Sequence, residues 1–178
     1  PSVSRYLVLA AAVSLALAAC SPQESTPVNT PDQKAAATPA AAKPAPNPFL
    51  TVSALPSHAP DFKAITDANY LPAFKQGMSD QLAEIAAITA DKAPATFDNT
   101  LLPLEKSGAL LDRVSRVFFS VVQADTNPER QKIQEEMVPA LAAHQDAINL
   151  DAALFARIKA VYDARETAGL NAEQTRLA

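Results

Sequence analysis

The sequence predicts an all-α fold, and three observations support this prediction. The 178 residues contain only three glycines and no tryptophan, while the segment after Asn47 is rich in alanine and other strong helix formers. Apolar residues recur in that segment at steps of three and four, which is the spacing of one helix face. No strand-like alternation of apolar and polar residues stands out. Because the predicted connections are short, we expect antiparallel helical hairpins packed as a bundle.

Residues 1–20 predict a bacterial lipoprotein signal peptide. An apolar run from Tyr6 to Ala19 follows Arg5 and, at about 21 Å of helix, is too short for the ~30 Å core of a bilayer. Its end, Leu17-Ala18-Ala19-Cys20, matches a lipobox, in which the cysteine is lipidated and becomes the new N-terminus. Ser21 after the cysteine is typical of outer-membrane lipoproteins, which face the periplasm. The alternative is an ordinary secretory signal with a chance cysteine.

Residues 21–46 predict a disordered tether. Prolines stand at positions 22, 27, 31, 39, 44 and 46, and large apolar residues are few, so burial cannot offset the loss of chain entropy. Proline-rich chain also favours extended conformations. We interpret this stretch as a spacer that holds the following region, residues 47–178, away from a membrane. An inert tail is the alternative.

The first predicted helix runs from about Asp67 to Ala90. Its apolar stripe consists of Leu71, Phe74, Met78, Leu82 and Ile85. Either Asp67 or Asn69 is suited to cap its first turn. Pro60 disfavours helix at the residue before it, so residues 58–62 are predicted to be extended.

The second predicted helix follows a cap at Asp98 or Asn99. Its apolar stripe consists of Leu104, Leu111, Val114, Phe118 and Val121. Asp112 and Arg116 form an i,i+4 pair on the exposed side. Gly108 interrupts the helix interior at a cost of about 1 kcal/mol, and a close approach of another helix would explain it.

The third predicted helix opens with Thr126-Asn127-Pro128-Glu129. This pattern places Pro128 at the first helical position and pairs Thr126 with Glu129 in a capping box. The apolar stripe consists of Ile133, Met137, Leu141 and Ile148. Pro139 is expected to kink the helix because it lacks the N–H that would donate one turn back.

Two further helices are predicted near the C-terminus. The fourth runs from about Asp151 to a stop near Gly169, and its predicted inward residues are Leu154, Phe155, Ile158, Val161 and Tyr162. Asn171 and Gln174 form a capping box that opens a fifth helix, which Ala178 cuts short. Since the chain also retains a signal yet starts at Pro1 rather than methionine, we expect both ends to lie inside a longer protein.

Few residues of this chain are suited to catalysis or metal binding. There are two histidines and one cysteine, whereas a zinc enzyme uses about three protein ligands. Neither His58 nor His144 has a second ligand at a useful spacing, so both are interpreted as surface or packing residues. The net charge of −4 argues against a nucleic-acid partner. We predict no catalytic and no metal-binding residue within the 178 residues.

Three side-chain pairs receive structural interpretations. The adjacent acids Glu135–Glu136 point in different directions on a helix, which favours a solvated face over a carboxylate dyad. The pair Phe118–Phe119 favours core packing over ligand binding. Arg113 and Arg116 could hold an anion, but salt bridges are the favoured interpretation.

A family resemblance extends from Asn47 to Ala178. The runs that carry it are Phe97-Asp98-Asn99-Thr100, Leu104-Glu105-Lys106-Ser107-Gly108, Leu111-Asp112-Arg113-Val114, Arg116-Val117-Phe118-Phe119, Lys132-Ile133-Gln134-Glu135-Glu136, Pro139-Ala140-Leu141-Ala142-Ala143-His144, Leu154-Phe155-Ala156-Arg157 and Lys159-Ala160-Val161-Tyr162-Asp163. In this order and spacing they resemble the N-terminal region of bacterial peptidyl-dipeptidases of the Dcp type, which belong to the thimet oligopeptidase family of zinc metallopeptidases.

The resemblance implies an enzyme that hydrolyses short peptides with zinc held by a His-Glu-x-x-His helix and a further glutamate. None of these residues lies in this sequence, so the resemblance assigns no catalytic or metal-binding position here. It implies that this region forms part of a channel wall and that the remainder of the same chain packs on it. The segment alone is then expected to be inactive. The competing interpretation is a non-enzymatic, lipid-anchored helical module that binds a partner.

Overall fold

A computed structural model of the protein describes residues 46–178. The described part is built from helices and contains no β-strand, which confirms the predicted all-α fold. The predicted signal peptide, and the predicted tether up to residue 45, lie outside the described residues. Among the described helices, none combines the length and the apolar character that crossing a bilayer requires.

The described chain forms two short 3-10 turns followed by six α-helices. The turns are Pro48–Leu50 and Pro56–His58, and the helices are α1 (Asp67–Ala90), α2 (Leu102–Lys106), α3 (Ala109–Ala124), α4 (Pro128–Asn149), α5 (Ala152–Ala164) and α6 (Ala172–Leu177). A turn of π-helix, Phe97–Leu101, leads directly into α2.

The first helix has the predicted bounds but a different cap. Thr66 is the N-cap residue, with an extended backbone, whereas Asp67 is already helical. The Thr66 N–H donates to Oδ1 of Asn69 at 2.7 Å. The predicted caps at Asp67 and Asn69 are therefore wrong, because a cap must precede the first helical residue, although Asn69 contributes the reciprocal half of the capping box.

The second predicted helix is divided into two. Thr96 caps the π-helical turn by accepting the N–H of Asn99 at 3.2 Å, so the predicted caps at Asp98 and Asn99 are wrong. Gly108 adopts a left-handed φ of +72° and is the N-cap of α3. It lies between two helices rather than inside one, since a glycine tolerates positive φ without the steric cost that other residues incur.

The third predicted helix begins where expected and is capped by a neighbouring residue. The side chain of Asn127 accepts the N–H of Arg130 at 2.8 Å, and Pro128 occupies the first helical turn as predicted. The predicted capping box between Thr126 and Glu129 is therefore wrong by one residue. The helix continues through Pro139 to Asn149.

The starts of the last two helices confirm the prediction. Oδ1 of Asp151 accepts from the N–H groups of Ala153 and Leu154 at 2.8 and 2.9 Å, and Asn171 forms the predicted capping box with Gln174. The predicted stop at Gly169 is too late, because α5 ends at Ala164 and a turn separates it from Gly169.

Two contacts define the direction of α3 relative to α1. Near the start of α1, the ring of Tyr70 lies 5.0 Å from that of Phe118, late in α3. Near the end of α1, Oε2 of Glu84 accepts the N–H of Gly108 at 2.7 Å, just before α3 begins. Residue numbers rise along α1 while they fall along α3, so these two helices are antiparallel.

The fourth helix runs parallel to α1. Asp67 contacts Arg130 at the start of both helices, and Gln81 contacts His144 near the end of both. Consequently α3 and α4 are antiparallel to each other, as expected for a hairpin with a short loop. The first helix packs on α3, α4 and α5 and is therefore the central helix of the described bundle.

The main core lies between the first half of α1, α3 and α4. Its buried members are Phe49, Tyr70, Ala73, Phe74, Leu111, Val114, Val117, Phe118, Ile133 and Met137. Phe118 meets Phe74 edge to face at 5.3 Å, and its neighbour Phe119 is partly buried against the same cluster. These contacts confirm the core interpretation of the Phe118–Phe119 pair.

Three residues that were predicted to face inward are exposed. Phe155 is 63% exposed, Tyr162 49% and Leu82 43%. On α5 only the face that carries Leu154 and Val161 is buried. Successive helical residues are rotated by about 100°. Phe155, which follows Leu154, and Tyr162, which follows Val161, therefore point away from the bundle. The prediction of an inward orientation for Phe155, Tyr162 and Leu82 is therefore wrong for this structure.

Candidate functional site

A groove of about 360 Å³ lies between the N-terminal segment 48–65 and α3. Its apolar lining includes Phe49, Ile65 and Val117, and its polar lining includes Asp61 and Arg113. The buried ring of Phe49 anchors the segment to the core against Tyr70, with ring centroids 5.5 Å apart. The local fold thus places charged side chains beside an apolar floor.

Arg113 reaches this groove from α3 and contacts the backbone of the N-terminal segment. Its Nε and Nη2 donate to the carbonyl oxygen of Phe49 at 3.1 and 2.8 Å. The predicted salt bridge of Arg113 is wrong for the described residues, because a buried turn presents a carbonyl rather than a carboxylate to it. Arg116 does form the predicted pair with Asp112, at 2.7 Å.

A strained turn forms part of the groove wall. Ser57 and His58 both have a φ of +56°, in the left-handed region that non-glycine residues rarely adopt. Nδ1 of His58 lies 3.0 Å from the carbonyl oxygen of Ser53, and the side chain is exposed. His58 is thus a surface residue, which confirms its sequence-based interpretation.

His144 is a packing residue between helices, as predicted. It is 7% exposed, and its Nε2 lies 2.7 Å from Oε1 of Gln81 on α1. Nε2 of Gln81 in turn donates to Oγ of Ser107 at 3.4 Å, in the break between α2 and α3. Burial lowers the pKa of His144, which favours the neutral ring at this position.

A charged cluster joins the starts of α1 and α4. Arg130 Nε and Asn127 Nδ2 donate to the two carboxylate oxygens of Asp67, each at 2.7 Å. Burial by itself raises the pKa of Asp67, but the hydrogen bonds from Asn127 and Arg130 and the charge of Arg130 outweigh it, so the net pKa is lowered. More than 60 residues separate Asp67 from Arg130, so no local spacing in the sequence could indicate this cluster.

Arg157 ties α5 to the segment after α1. Nη1 of Arg157 donates to the carbonyl oxygens of Asp91 and Ala93 at 2.8 and 3.2 Å, and Nη2 donates to Oδ1 of Asn99 at 3.0 Å. The planar guanidinium group thus fixes the connection between α1 and the π-helical turn. Sequence reasoning missed this role because the contacts are long-range.

In the part of the chain that the structure describes, the acidic pair and the other ionisable groups form no metal centre. Glu135 and Glu136 are both exposed, and Glu136 pairs with Lys75 at 2.9 Å, which confirms the solvated-face interpretation. Across residues 46–178, no three histidine, cysteine or acidic side chains are arranged to hold a metal ion. The predicted lipidation site Cys20 and the lipobox residues Leu17, Ala18 and Ala19 lie outside the described residues and stay predictions.

Comparison with known proteins identifies two related groups of peptidases. The chain is 47% identical over 131 residues to the dipeptidyl carboxypeptidases of Escherichia coli and Salmonella typhimurium, an alignment that covers 74% of this chain and 19% of each relative. It is 25% identical over 128 residues to oligopeptidase A of Salmonella typhimurium, which covers 72% of this chain and 18% of that protein. No family model matches the chain.

The chain spans about a fifth of the length of the curated relatives it matches. The matched length is close to that of the described helical region, residues 46–178. Nearly half of the aligned residues are identical to those of the dipeptidyl carboxypeptidases, and the predicted helical organisation is confirmed. The match therefore supports the identification of this chain as a fragment related to the dipeptidyl carboxypeptidases of the thimet oligopeptidase family.

Proposed function

We propose that this chain is the N-terminal segment of a lipid-anchored, zinc-dependent peptidyl-dipeptidase that hydrolyses short peptides in the bacterial envelope. The observation that carries the proposal is the 47% identity over 131 residues to two dipeptidyl carboxypeptidases. Zinc and the catalytic residues belong to the remainder of the protein, where a His-Glu-x-x-His helix would bind the metal and supply the general base.

The exposed apolar residues of the helical region support its role as one part of a larger body. Phe155 and Tyr162 are seven residues apart and therefore lie on the same side of α5, and Leu150, just before this helix, is 81% exposed. Contiguous exposed apolar surface marks sites of interaction, and the shared side of Phe155 and Tyr162 supports such a site on α5. The remainder of the same chain is the partner that we propose for this face.

The role proposed for this segment is to form part of the wall of the substrate channel. A channel wall has to keep its shape while flexible peptides enter. The clusters around Asp67 and Arg157 join α1 to α4 and α5 through long-range hydrogen bonds, and the aromatic core fills the space between α1 and α3. This arrangement supports a rigid supporting role rather than a chemical one.

Anchoring in the outer membrane is proposed through Cys20. Each buried CH₂ group of an attached acyl chain contributes about 0.8 kcal/mol to membrane binding. Residues 21–46 would then space the peptidase from the bilayer. Membrane attachment and peptidase activity are separate parts of the proposal and need separate tests.

Peptidase activity is tested by comparing the 178-residue chain with the full-length protein. The full-length protein is expected to release the C-terminal dipeptide from an N-blocked tetrapeptide and to lose this activity after treatment with a zinc chelator. The 178-residue chain is expected to bind no stoichiometric zinc and to cleave nothing. A full-length protein without peptidase activity would favour the non-enzymatic module, and cleavage by the short chain would contradict the division of roles.

Lipidation is tested by expressing the full-length protein in a Gram-negative host. The wild type is expected in the outer-membrane fraction, and Cys20→Ser is expected to release it from that fraction. Ser21→Asp serves as the matched control, because it keeps the cysteine and should change only which membrane retains the protein. Equal outer-membrane retention of the wild type and Cys20→Ser would refute the anchor.

A further inference from the structure

We propose that the groove between segment 48–65 and α3 binds a short peptide with both termini free, with its carboxylate on Arg113 and its ammonium group on Asp61. Binding at this groove does not depend on the peptidase activity proposed above. A zwitterionic dipeptide is the smallest ligand with this chemistry.

The groove offers one positive and one negative charge that do not neutralise each other. Within residues 46–178, neither Arg113 nor Asp61 takes part in an ion pair. Arg113 uses Nε and Nη2 on the carbonyl of Phe49, which orients its guanidinium group and leaves Nη1 for another acceptor. Asp61 accepts the N–H of Lys63 through Oδ1 at 3.1 Å, and this leaves Oδ2 for a ligand.

The floor of the groove suits an apolar side chain. Phe49 is 2% exposed and Val117 6% exposed, so both are held in place by the core, and Ile65 lies beside them. The volume of about 360 Å³ is near the lower end of the range of small-molecule sites, about 300–1,000 Å³. A dipeptide with one large apolar side chain fits these dimensions and this charge pattern.

The strained turn at Ser57 and His58 supports a preformed site. A non-glycine residue at positive φ is strained and persists only where the surrounding structure holds it. Strain of this kind is concentrated at ligand clamps and active sites. The backbone N–H of His58 donates to the carbonyl oxygen of Leu55 at 2.9 Å, and both residues line the groove.

Binding is tested by titrating the ¹⁵N-labelled 178-residue chain with alanyl-phenylalanine and recording amide NMR spectra. Saturable shifts are expected at amides that line the groove, including those of Ile65, Arg113 and Val117. N-acetylation or C-amidation of the dipeptide removes one charge, and each is expected to weaken binding about tenfold. These modified ligands test the charge requirement without altering the protein.

Three variants assign the contacts. Asp61→Asn is expected to bind the free and the N-acetylated dipeptide equally well, and Arg113→Gln to bind the free and the amidated dipeptide equally well. Arg116→Gln is the matched control, because Arg116 lies one turn away on the exposed side and should leave binding unchanged. Since Arg113→Gln also removes a contact to Phe49, the Asp61 variant and the modified ligands keep the test decisive.

The proposal is overturned if no saturable shift occurs up to about 10 mM dipeptide. This concentration is well above the dissociation constant of a weak, millimolar complex. It is also overturned if capping either terminus leaves the affinity unchanged, which would indicate apolar contact alone. Shifts confined to the exposed face of α5 would instead place peptide binding at the surface proposed for the remainder of the chain.

Discussion

Gly77 of α1 lies directly against the backbone of Leu111 of α3. A Cβ placed on Gly77 would be 2.9 Å from both the Cα and the N of Leu111, closer than side chains pack. The predicted close approach at Gly108 is also present, since a Cβ on Gly108 would lie 2.5 Å from Cδ of Gln81 on α1. The left-handed φ of +72° also favours glycine at position 108, and the backbone N–H of Gly108 donates to Glu84.

Gly77→Ala is expected to lower the free energy of unfolding of the 178-residue chain by about 1–2 kcal/mol. Overpacking costs about 1–3 kcal/mol and outweighs the helix-propensity gain of about 1 kcal/mol, because the atoms in the way are backbone. Urea denaturation measures the difference. Ala83→Gly, at an exposed position of α1, isolates the propensity contribution. A more stable Gly77→Ala variant would show that α1 and α3 separate easily.

The contact between Asp67 and Arg130 is expected to make stability depend on acid pH. The pKa of Asp67 is held below its ordinary value of 3.8, so the unfolded chain binds a proton at a pH where the native carboxylate does not. The stabilisation is therefore complete at pH values well above 3.8. It is lost as the pH falls through the lowered native pKa.

Asp67→Asn is expected to cost about 2 kcal/mol at neutral pH, the range of hydrogen bonds to charged groups, and to flatten the pH dependence below about pH 4. Urea unfolding between pH 2.5 and 7, a range chosen around the ordinary carboxyl pKa of about 4, provides the measurement. Asp112→Asn removes an exposed pair with Arg116 and should cost at most about 0.5 kcal/mol. Equal losses in the two variants would mean that the Asp67 cluster is no stronger than a surface pair.

Burial of His144 gives a second pH dependence in a different range. Its pKa is lowered from the ordinary value of 6.5, so the unfolded chain takes up a proton first as the pH falls. Stability from the neutral ring is complete above pH 6.5 and is lost through the native pKa, with a slope of at most about 1.4 kcal/mol per pH unit.

His144→Gln is expected to remove this slope below about pH 6.5. Urea unfolding measures the slope, and NMR titration of the His144 ring protons measures the native pKa directly. The Asp67→Asn variant serves as the comparison, since it should keep the slope in this range. A native His144 that titrates at or above 6.5 would contradict the prediction.

Neighbouring residues of α5 are expected to respond very differently to truncation. Leu154 is 3% exposed and Phe155 63% exposed. Leu154→Ala should lower the free energy of unfolding by about 2–5 kcal/mol, because it opens a cavity against Ile85, Ile88 and Ile148. Phe155→Ala should change it by about 0.5 kcal/mol or less in the 178-residue chain.

In the full-length protein the same Phe155→Ala change is expected to cost about 3–5 kcal/mol, as for a buried phenylalanine. Thermal unfolding of both lengths of chain provides the measurement. If Phe155→Ala is equally mild in the full-length protein, the remainder of the chain does not cover α5.

The sequence by itself determined the helical fold class and the approximate position of every long helix. Local signals carry this information: the i,i+3/i+4 stripe of α1, Pro128 in the first turn of α4, and the caps at Asp151 and Asn171 all act within a few residues. The resemblance to the peptidase family was also available from the order of short runs.

Tertiary structure alone decided which faces are buried and which polar side chains meet. The α5 stripe contains Leu154 and Phe155, yet only one of them has a partner helix in the described residues. Asp67 and Arg130 meet across 63 positions, and Arg113 meets the carbonyl of Phe49 across 64. Contacts of that range depend on how α1, α3 and α4 are arranged around one core, and no local period of the chain encodes that arrangement.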